Sequence, residues 1–212
     1  MNPQNELKNT PRITTWLFNP FMYIAGWQAL LVGLATIVIT ALLGSVGNTH
    51  FDGVLDMHIG AEAPVWFFIA EGFIDWLSLA ILLLLAGLIL KGISFRIIDI
   101  FGTQALARWP MLFSAAVGIL PANQRVLNEL MKMVQNPNQP PVLPIADTVV
   151  FAAAMIVILV MVVWMVALMY RAYAVSCNLK GAKAIISFIV VLLIAEAVSK
   201  FALWGLYQIA FK

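Results

Sequence analysis

Long apolar segments separated by short polar ones run through the whole chain. A helix that crosses a lipid bilayer needs about 20 mostly apolar residues. Five segments reach or nearly reach this length, namely 21–45, 65–90, 103–120, 148–170 and 184–211. The third of them is short and is interrupted by Arg108 and Pro110. The pattern therefore predicts an all-α integral membrane protein, a bundle of five transmembrane helices in which the third span is short and interrupted.

The segment between the third and fourth spans is apolar on one helical face only. Its apolar residues recur every three or four positions: Val126, Leu127, Leu130, Met131 and Val134. This spacing predicts an amphipathic helix over 124–134 that lies on a membrane surface or docks on a neighbouring element. Prolines between 136 and 144 rule out a continuous helix there, because proline lacks an amide hydrogen and clashes with the preceding turn. A shorter segment, 95–101, is predicted as an interfacial piece.

Composition agrees with a membrane protein. Hydrophobic residues make up 63% and charged residues 10% of the 212, and the mean hydropathy is +0.97. Charged residues are usually about a quarter of a soluble domain. The formal net charge of +2 is small and no basic patch is dense, which argues against nucleic acid as a partner. Membrane lipids are the expected partners. Association of several copies into a homo-oligomer remains an alternative.

Basic residues predict how the spans are oriented. Segment 1–19 is polar and lacks the layout of a secretory signal, so it is predicted as a cytoplasmic tail in front of a single five-span domain, 20–212. The loop between the first two spans has no lysine or arginine, whereas most basic residues fall at the other ends of the spans. Because lysine and arginine favour the cytoplasmic side, the N-terminus is expected in the cytoplasm and the C-terminus outside, in a bacterial inner membrane. If the third segment is a re-entrant loop, the C-terminus lies inside instead.

Besides Arg108 in the third span, four charged residues fall inside predicted spans, where a charge costs about 2.5–3.5 kcal/mol on insertion scales. Glu71 and Asp75 share one face of the second span, because residues four apart lie one turn above the other. Two carboxylates in a low dielectric cannot both stay charged without a cation, so this pair is a candidate for catalysis or proton transfer. Glu196 and Lys200 have the order that favours an intramembrane ion pair. Such a pair can also serve only to hold helices together.

A polar loop precedes Glu71 and contains two imidazoles and two carboxylates, on His50, Asp52, Asp56 and His58. Imidazole and carboxylate groups together suit a divalent metal such as zinc or manganese. The Asp-x-x-x-Asp-x-His spacing would bring three of these ligands together on a tight loop. The alternative is a loop that is polar because it faces water. The chain contains none of the common metalloprotease, serine-hydrolase or phosphate-binding motifs.

Asp99 and Arg108 lie on either side of the start of the third span. The two side chains could pair across the turn and anchor this short helix near the cytoplasmic interface. In the interpretation that we favour, Arg108 extends its long side chain to the inner headgroups. The functional alternative is an arginine that binds a lipid phosphate.

Several features describe the whole chain. They are a polar N-terminal segment ending near Trp16 and Asn19-Pro20, five spans, a turn from Asp99 to Pro110, and a polar turn from Tyr170 to Lys183. In this plan the chain resembles the Yip domain family of five-span membrane proteins, first linked to Rab-type GTPases. The resemblance implies a role in membrane organisation or transport. The Asp-Leu-Tyr-Gly-Pro segment of the eukaryotic members is absent, and a bacterial-type member would have no Rab partner.

Three functions remain open. The first is membrane organisation or transport, with the polar groups as a structural core or a substrate path. The second is a metal-dependent hydrolase embedded in the membrane near the outer leaflet, in which the four loop residues hold the metal and Glu71 or Asp75 is a ligand or general base. The third is an ion- or proton-coupled transporter that uses Glu71, Asp75, Glu196 and Lys200 as a relay. Loop substitutions would disable the second function, whereas the third depends more on Glu71 and Asp75.

Overall fold

The computed structural model of the protein describes residues 13–90, 95–136, 138 and 140–211. Within these residues the helices are α1 (Ile13–Phe18), α2 (Gly26–Val46), α3 (Val65–Ile89), α4 (Ile97–Leu106), α5 (Met111–Gly118), α6 (Pro121–Gln135), α7 (Ile145–Ser176) and α8 (Gly181–Ala210). A short 3-10 turn covers Pro20–Met22, and two-residue strands β1 (Thr49–His50) and β2 (His58–Ile59) pair antiparallel. The predicted all-α fold is confirmed.

Proline and glycine set several helix boundaries. Pro64 precedes α3 and Pro144 precedes α7, while Pro121 is the first residue of α6. Proline suits these positions because the first amides of a helix have no intrahelical acceptor to lose. Gly181 begins α8 with a φ of +64°, in the left-handed region that favours glycine.

Four helices are long and apolar enough to cross a membrane, counting only the residues described. They are α2, α3, α7 and α8, with 21, 25, 32 and 30 residues. The segment Ile97–Gly118 passes the same test only together with α6, to which it is bent by 73°. The number of candidate spans is therefore four, or five when the bent pair is counted as one.

The interrupted third segment, α4 and α5 with the break between them, runs beside α2 over its whole length. A Cβ on Gly26 would lie 3.5 Å from Asp99 Oδ1, and one on Gly33 would lie 2.6 Å from the Ala105 Cβ. At the far end of α2, a Cβ on Gly47 would lie 2.9 Å from the carbonyl carbon of Gly118. The segment thus advances parallel to α2 and does not double back at its break, as a re-entrant loop would. The approach is too close for a Cβ at Gly33, on α2, and at Gly47, which directly follows α2, so glycine is needed at both positions.

The two ends of the bundle differ in composition. We call the end formed by residues 47–64 the loop end. The amide of Gln124, on α6, donates to the Gly47 carbonyl at 2.7 Å, so α6 starts at the loop end. At the opposite end, the Thr103 and Ser176 hydroxyls lie 2.9 Å apart and join α4 to the last turn of α7.

The N-terminal segment differs from the predicted polar tail over 1–19. Residues 1–12 lie outside the described part of the chain, but α1 is a helix that contacts α7. The Trp164 indole N–H donates to the Leu17 carbonyl at 3.0 Å, and the rings of Phe18 and Trp164 have centroids 5.8 Å apart. The predicted interfacial piece over 95–101 is also not separate, because α4 includes most of it. The predicted amphipathic helix corresponds to α6.

Candidate functional site

A cavity of about 400 Å³ opens at the loop end between the loop, the start of α3 and the last turns of α8. One wall is polar and is formed by His50, Asp52, His58, Glu62, Glu71 and Lys200. The other wall is apolar and is formed by Phe67, Leu203, Trp204, Tyr207 and Phe211. This loop-end cavity therefore offers a polar surface and an apolar surface to one ligand.

The loop reaches the polar wall through a tight local fold. Asn48 follows the end of α2 with a φ of 49°, and its carbonyl accepts the amide of Gly60 at 2.8 Å. The β1–β2 pairing sets His50 opposite His58, with ring centroids 5.6 Å apart. A Cβ on Gly60 would lie 2.8 Å from His50 Cδ2, so glycine is needed where the strand passes over the ring.

His50 and Glu71 form a buried pair. His50 Nδ1 lies 2.8 Å from Glu71 Oε1, and the two residues are 7% and 2% exposed. His50 Nε2 lies 2.8 Å from the Ala61 carbonyl, which can only accept, so Nε2 carries a proton. A second proton is therefore held between Nδ1 and Glu71. The Phe51 amide donates to Glu71 Oε2 at 3.3 Å.

These contacts change the role predicted for His50. Both of its ring nitrogens are occupied, so in this conformation it cannot be the fourth ligand of a metal. Burial lowers the pKa of the His50 imidazole, whereas its hydrogen bonds and the charges of Glu71 and Asp52 raise it. The net effect is a pKa above the ordinary value of 6.5.

The other three predicted metal ligands come together at the mouth of the loop-end cavity. One ligand atom each from Asp52, Asp56 and His58 lies within 4.8 Å of the others. His58 Nδ1 and Asp52 Oδ1 are 3.2 Å apart; this hydrogen bond raises the pKa of His58 and lowers that of Asp52. Asp56 is also paired with the Lys200 ammonium. A metal at this cluster would share the Asp56 carboxylate with Lys200.

Three polar residues on α8 hold the loop in place. Glu196 Oε2 accepts the Leu55 amide at 2.8 Å, and the Ser199 hydroxyl accepts the Val54 amide at 3.3 Å. The predicted contact of Glu196 with Lys200 is present, with Oε1 and Nζ 3.6 Å apart. The pair therefore anchors the loop over the cavity, in addition to any role inside the bundle.

Asp75 and Arg108 lie deeper in the bundle. Asp75 is 0% exposed, and neither of its carboxylate oxygens has a hydrogen-bond partner among the residues described. Arg108, in the break between α4 and α5, is 6% exposed and is the positive charge that acts on Asp75. Its Nε and Nη2 atoms also have no partner in the described part of the chain.

The structure differs from both structural interpretations of Arg108. Asp99 pairs with Arg96 at 4.0 Å, not with Arg108, and the burial of Arg108 is incompatible with a side chain that extends to headgroups. The physical reason is the break between α4 and α5, which leaves Arg108 on the inner side of the third segment.

The apolar wall of the loop-end cavity was not among the predicted site residues, although the sequence carries a signal for it. On α8, positions 196, 200, 203, 207 and 211 recur every three or four residues and define one helical face. That face carries Glu196 and Lys200 and continues into the aromatic residues of the cavity. The periodicity of this face therefore indicates that the Glu196–Lys200 pair and the apolar wall belong to the same surface of α8.

Stability should depend on pH through this site. The raised pKa values of His50 and His58 mean that their contribution is complete below about pH 6.5 and is lost as the pH rises through the folded values. The lowered pKa of Asp52 means that its contribution is present above about pH 4 and is lost as the pH falls through the folded value. The free energy of unfolding, measured by chemical denaturation in detergent, should therefore peak between these values.

Two variants separate the contributions to this pH profile. His58→Gln should remove less than about 1 kcal/mol of the alkaline loss, because its pair with Asp52 is half exposed. His50→Gln should remove more. A profile that is the same in both variants as in the unmodified protein would contradict the assignment.

Comparisons with protein-family models, with curated proteins and with solved structures find no match for this chain. Fold and site together define its class. It is an all-α protein with several helices apolar enough to cross a membrane and a two-walled cavity at one end of the bundle.

Proposed function

We propose that this chain is a five-span membrane protein that binds a phospholipid in the loop-end cavity and acts in membrane organisation or lipid transport. The observation that carries the proposal is the pairing of a polar and an apolar wall in a cavity of about 400 Å³. This volume lies in the range of small-molecule sites, about 300–1,000 Å³. A headgroup and the first part of an acyl chain need these two surfaces.

The distribution of basic residues supports an outward-facing loop end. The loop from 47 to 64 has no lysine or arginine, whereas the opposite end carries Arg96, Arg171, Lys180 and Lys183. Because basic residues favour the cytoplasmic side, the cavity faces outward and the N-terminus lies in the cytoplasm, in a bacterial inner membrane. Membership of the Yip family is part of the proposal and rests on the resemblance of the five-span plan. The parallel course of the third segment beside α2 favours counting that segment as a span.

The charges of the polar wall favour a headgroup with a positive group. Asp52, Glu62 and Glu71 face a single lysine, Lys200, and the two histidines supply further positive charge only when protonated. Complementary charge steers binding and selects between partners. Phosphatidylethanolamine, with an ammonium group, is therefore the preferred lipid over phosphatidylglycerol, which has none.

Native mass spectrometry of the detergent-solubilised protein tests lipid binding directly. Titration with phosphatidylethanolamine should give a one-to-one complex, and titration with phosphatidylglycerol should give less. Trp204→Ala removes an aromatic side chain of the apolar wall and should weaken binding roughly tenfold, the equivalent of about 1.4 kcal/mol.

The matched control is Phe201→Ala, on the same helix. Phe201 is 74% exposed and Trp204 is 65% exposed, so both substitutions should leave the fold intact, but Phe201 does not line the cavity. Phe201→Ala should bind lipid as the unmodified protein does. An equal loss of lipid binding in the two variants, or no lipid complex with the unmodified protein, would contradict the proposal.

A metal-dependent hydrolase is the second candidate, favoured by the cluster of Asp52, Asp56 and His58. The same mass spectra would reveal a retained zinc or manganese ion, since it adds its own mass to the protein. An ion that is lost in an Asp56→Ala, His58→Ala double variant would make this candidate the leading one. Ion-free spectra, with lipid bound, would favour the first.

A further inference from the structure

Three polar side chains meet inside the bundle without satisfying one another. Thr40 on α2, Asp75 on α3 and Arg108 at the break in the third segment are each at most 6% exposed. Each has side-chain atoms with no hydrogen-bond partner in residues 13–90, 95–136, 138 and 140–211. A buried polar atom without a partner is costly, so such groups usually bind ordered water or act in function.

A small cavity adjoins two of these groups. It has a volume of about 20 Å³ and is lined by Thr40 and Arg108 among apolar side chains. One water molecule needs about 10–15 Å³ and two or more polar partners. The cavity therefore has room for a single water, with the Thr40 hydroxyl and the Arg108 guanidinium as polar groups in its lining.

A pair that only held helices together would look different. Structural ion pairs inside a protein make direct hydrogen bonds, because those bonds offset the loss of water. Asp75 and Arg108 interact through their charges but make no such bond with each other. The arrangement leaves the Asp75 carboxylate free to accept a proton.

We propose that Asp75 and Arg108 form a buried proton-binding site that exchanges protons with the loop-end cavity through Glu71. The ligand is a proton. This function goes beyond lipid binding and does not depend on it.

The charged groups around Asp75 come from the third segment, from α8, from the loop and from α3 itself. Arg108 supplies the positive charge from the third segment, and Glu196 a negative one from α8. The loop adds Asp52 and α3 itself adds Glu71, while α2 carries no ionisable residue and contributes Thr40. Arg108 balances Asp75 when its carboxylate is charged, so uptake of a proton changes the charge balance at the break of the third segment.

The route from the cavity follows one face of α3. Glu71 lines the loop-end cavity and holds a proton in common with His50. Asp75 lies one turn below, about 6 Å deeper along the helix axis. A hydronium ion in the loop-end cavity gives a proton to Glu71 and becomes water. The O–H bond on Glu71 then breaks as an O–H bond forms on Asp75, and Glu71 takes the next proton from the cavity. No oxidation or reduction is involved.

Infrared difference spectroscopy tests the site in the intact protein. The full chain is reconstituted in phosphatidylcholine vesicles, and spectra are compared from mildly alkaline to mildly acidic buffer. We expect a band from a buried, protonated carboxyl group that shifts in heavy water and on labelling with isotope-enriched aspartate. Asp75→Asn should abolish the band, and Glu71→Gln should slow its appearance after a rapid drop in pH.

Two further variants keep the test decisive. Asp147→Asn changes an aspartate that pairs with the exposed Arg125 outside the bundle, and this variant should keep the band. If Asp75→Asn fails to fold, Asp75→Glu keeps a carboxyl group, and the band should then shift with isotope-enriched glutamate instead of aspartate. A band that survives Asp75→Asn, or the absence of any such band in the unmodified protein, would overturn the proposal.

Discussion

Replacing His50 by leucine should lower the free energy of unfolding by about 3–5 kcal/mol. His50 and Glu71 are both almost fully buried, and their side chains share a proton at 2.8 Å. Leucine would leave the Glu71 carboxyl group with the Phe51 amide as its one remaining hydrogen-bond donor among the described residues. An uncompensated buried group of this kind is among the few mechanisms that cost so much. Chemical unfolding in detergent, followed by tryptophan fluorescence, measures the loss.

The second histidine of the loop provides the control. His58 is 50% exposed at its side chain and pairs with an aspartate that is 36% exposed, so His58→Leu should cost less than about 1 kcal/mol. A double variant, His50→Leu with Glu71→Leu, should recover much of the loss, since no buried acid then remains unpaired. Equal effects of the two single substitutions would mean that the His50–Glu71 pair is not the buried contact described.

The long helices could be predicted because a helix that crosses a membrane needs a long run of apolar residues, which is visible in the sequence. α2, α3, α7 and α8 correspond to four predicted spans, and Arg108 with Pro110 correctly marks the break in the third. The packing of α1 on α7 could not be predicted. It rests on single contacts of Leu17 and Phe18 with Trp164, which lies far away in sequence.

The candidate site was predictable as a group of residues but not as a set of contacts. The loop residues and Glu71 were identified by their polarity and chemistry. The separation of His50 from the other three loop residues depends on the β1–β2 register, and two-residue strands have no alternation from which a register can be read. The direction of the Arg108 side chain depends on the geometry of the break in the third segment. A proline indicates where a helix breaks but does not fix that geometry.

One face of α8 contacts the loop and supplies residues of the apolar wall of the cavity. On α8, Glu196 and Ser199 bind loop amides, Lys200 pairs with Asp56, and the following turns supply the apolar wall. A movement of α8 would therefore change both the loop and the cavity. Tyr207 of the same face contacts Phe67 of α3, with ring centroids 6.3 Å apart, and α3 carries the proposed route from Glu71 to Asp75.

Arg96, the exposed arginine just before α4, is the control for a substitution of the buried Arg108. Arg96 is 75% exposed at its side chain and lies 4.0 Å from Asp99, so Arg96→Met should change the free energy of unfolding by less than about 1 kcal/mol. Arg108→Met removes the same charge from a residue that is 6% exposed. If the two substitutions had equal effects, Arg108 would have to lie in contact with water or headgroups.

Arg108→Met should instead lower the free energy of unfolding by about 3–5 kcal/mol, because Asp75 then loses the one positive charge that acts on it. The loss should be largely reversed in a double variant with Asp75→Asn, in which neither charge remains. A double-mutant cycle on the four proteins measures this coupling, and residues that share a buried charge balance should give about 0.5–3 kcal/mol. A coupling near zero would show that the two charges do not sense each other. A large coupling would mean that the charge state of Asp75 sets the stability of the break in the third segment, and hence that a proton arriving there has a structural consequence.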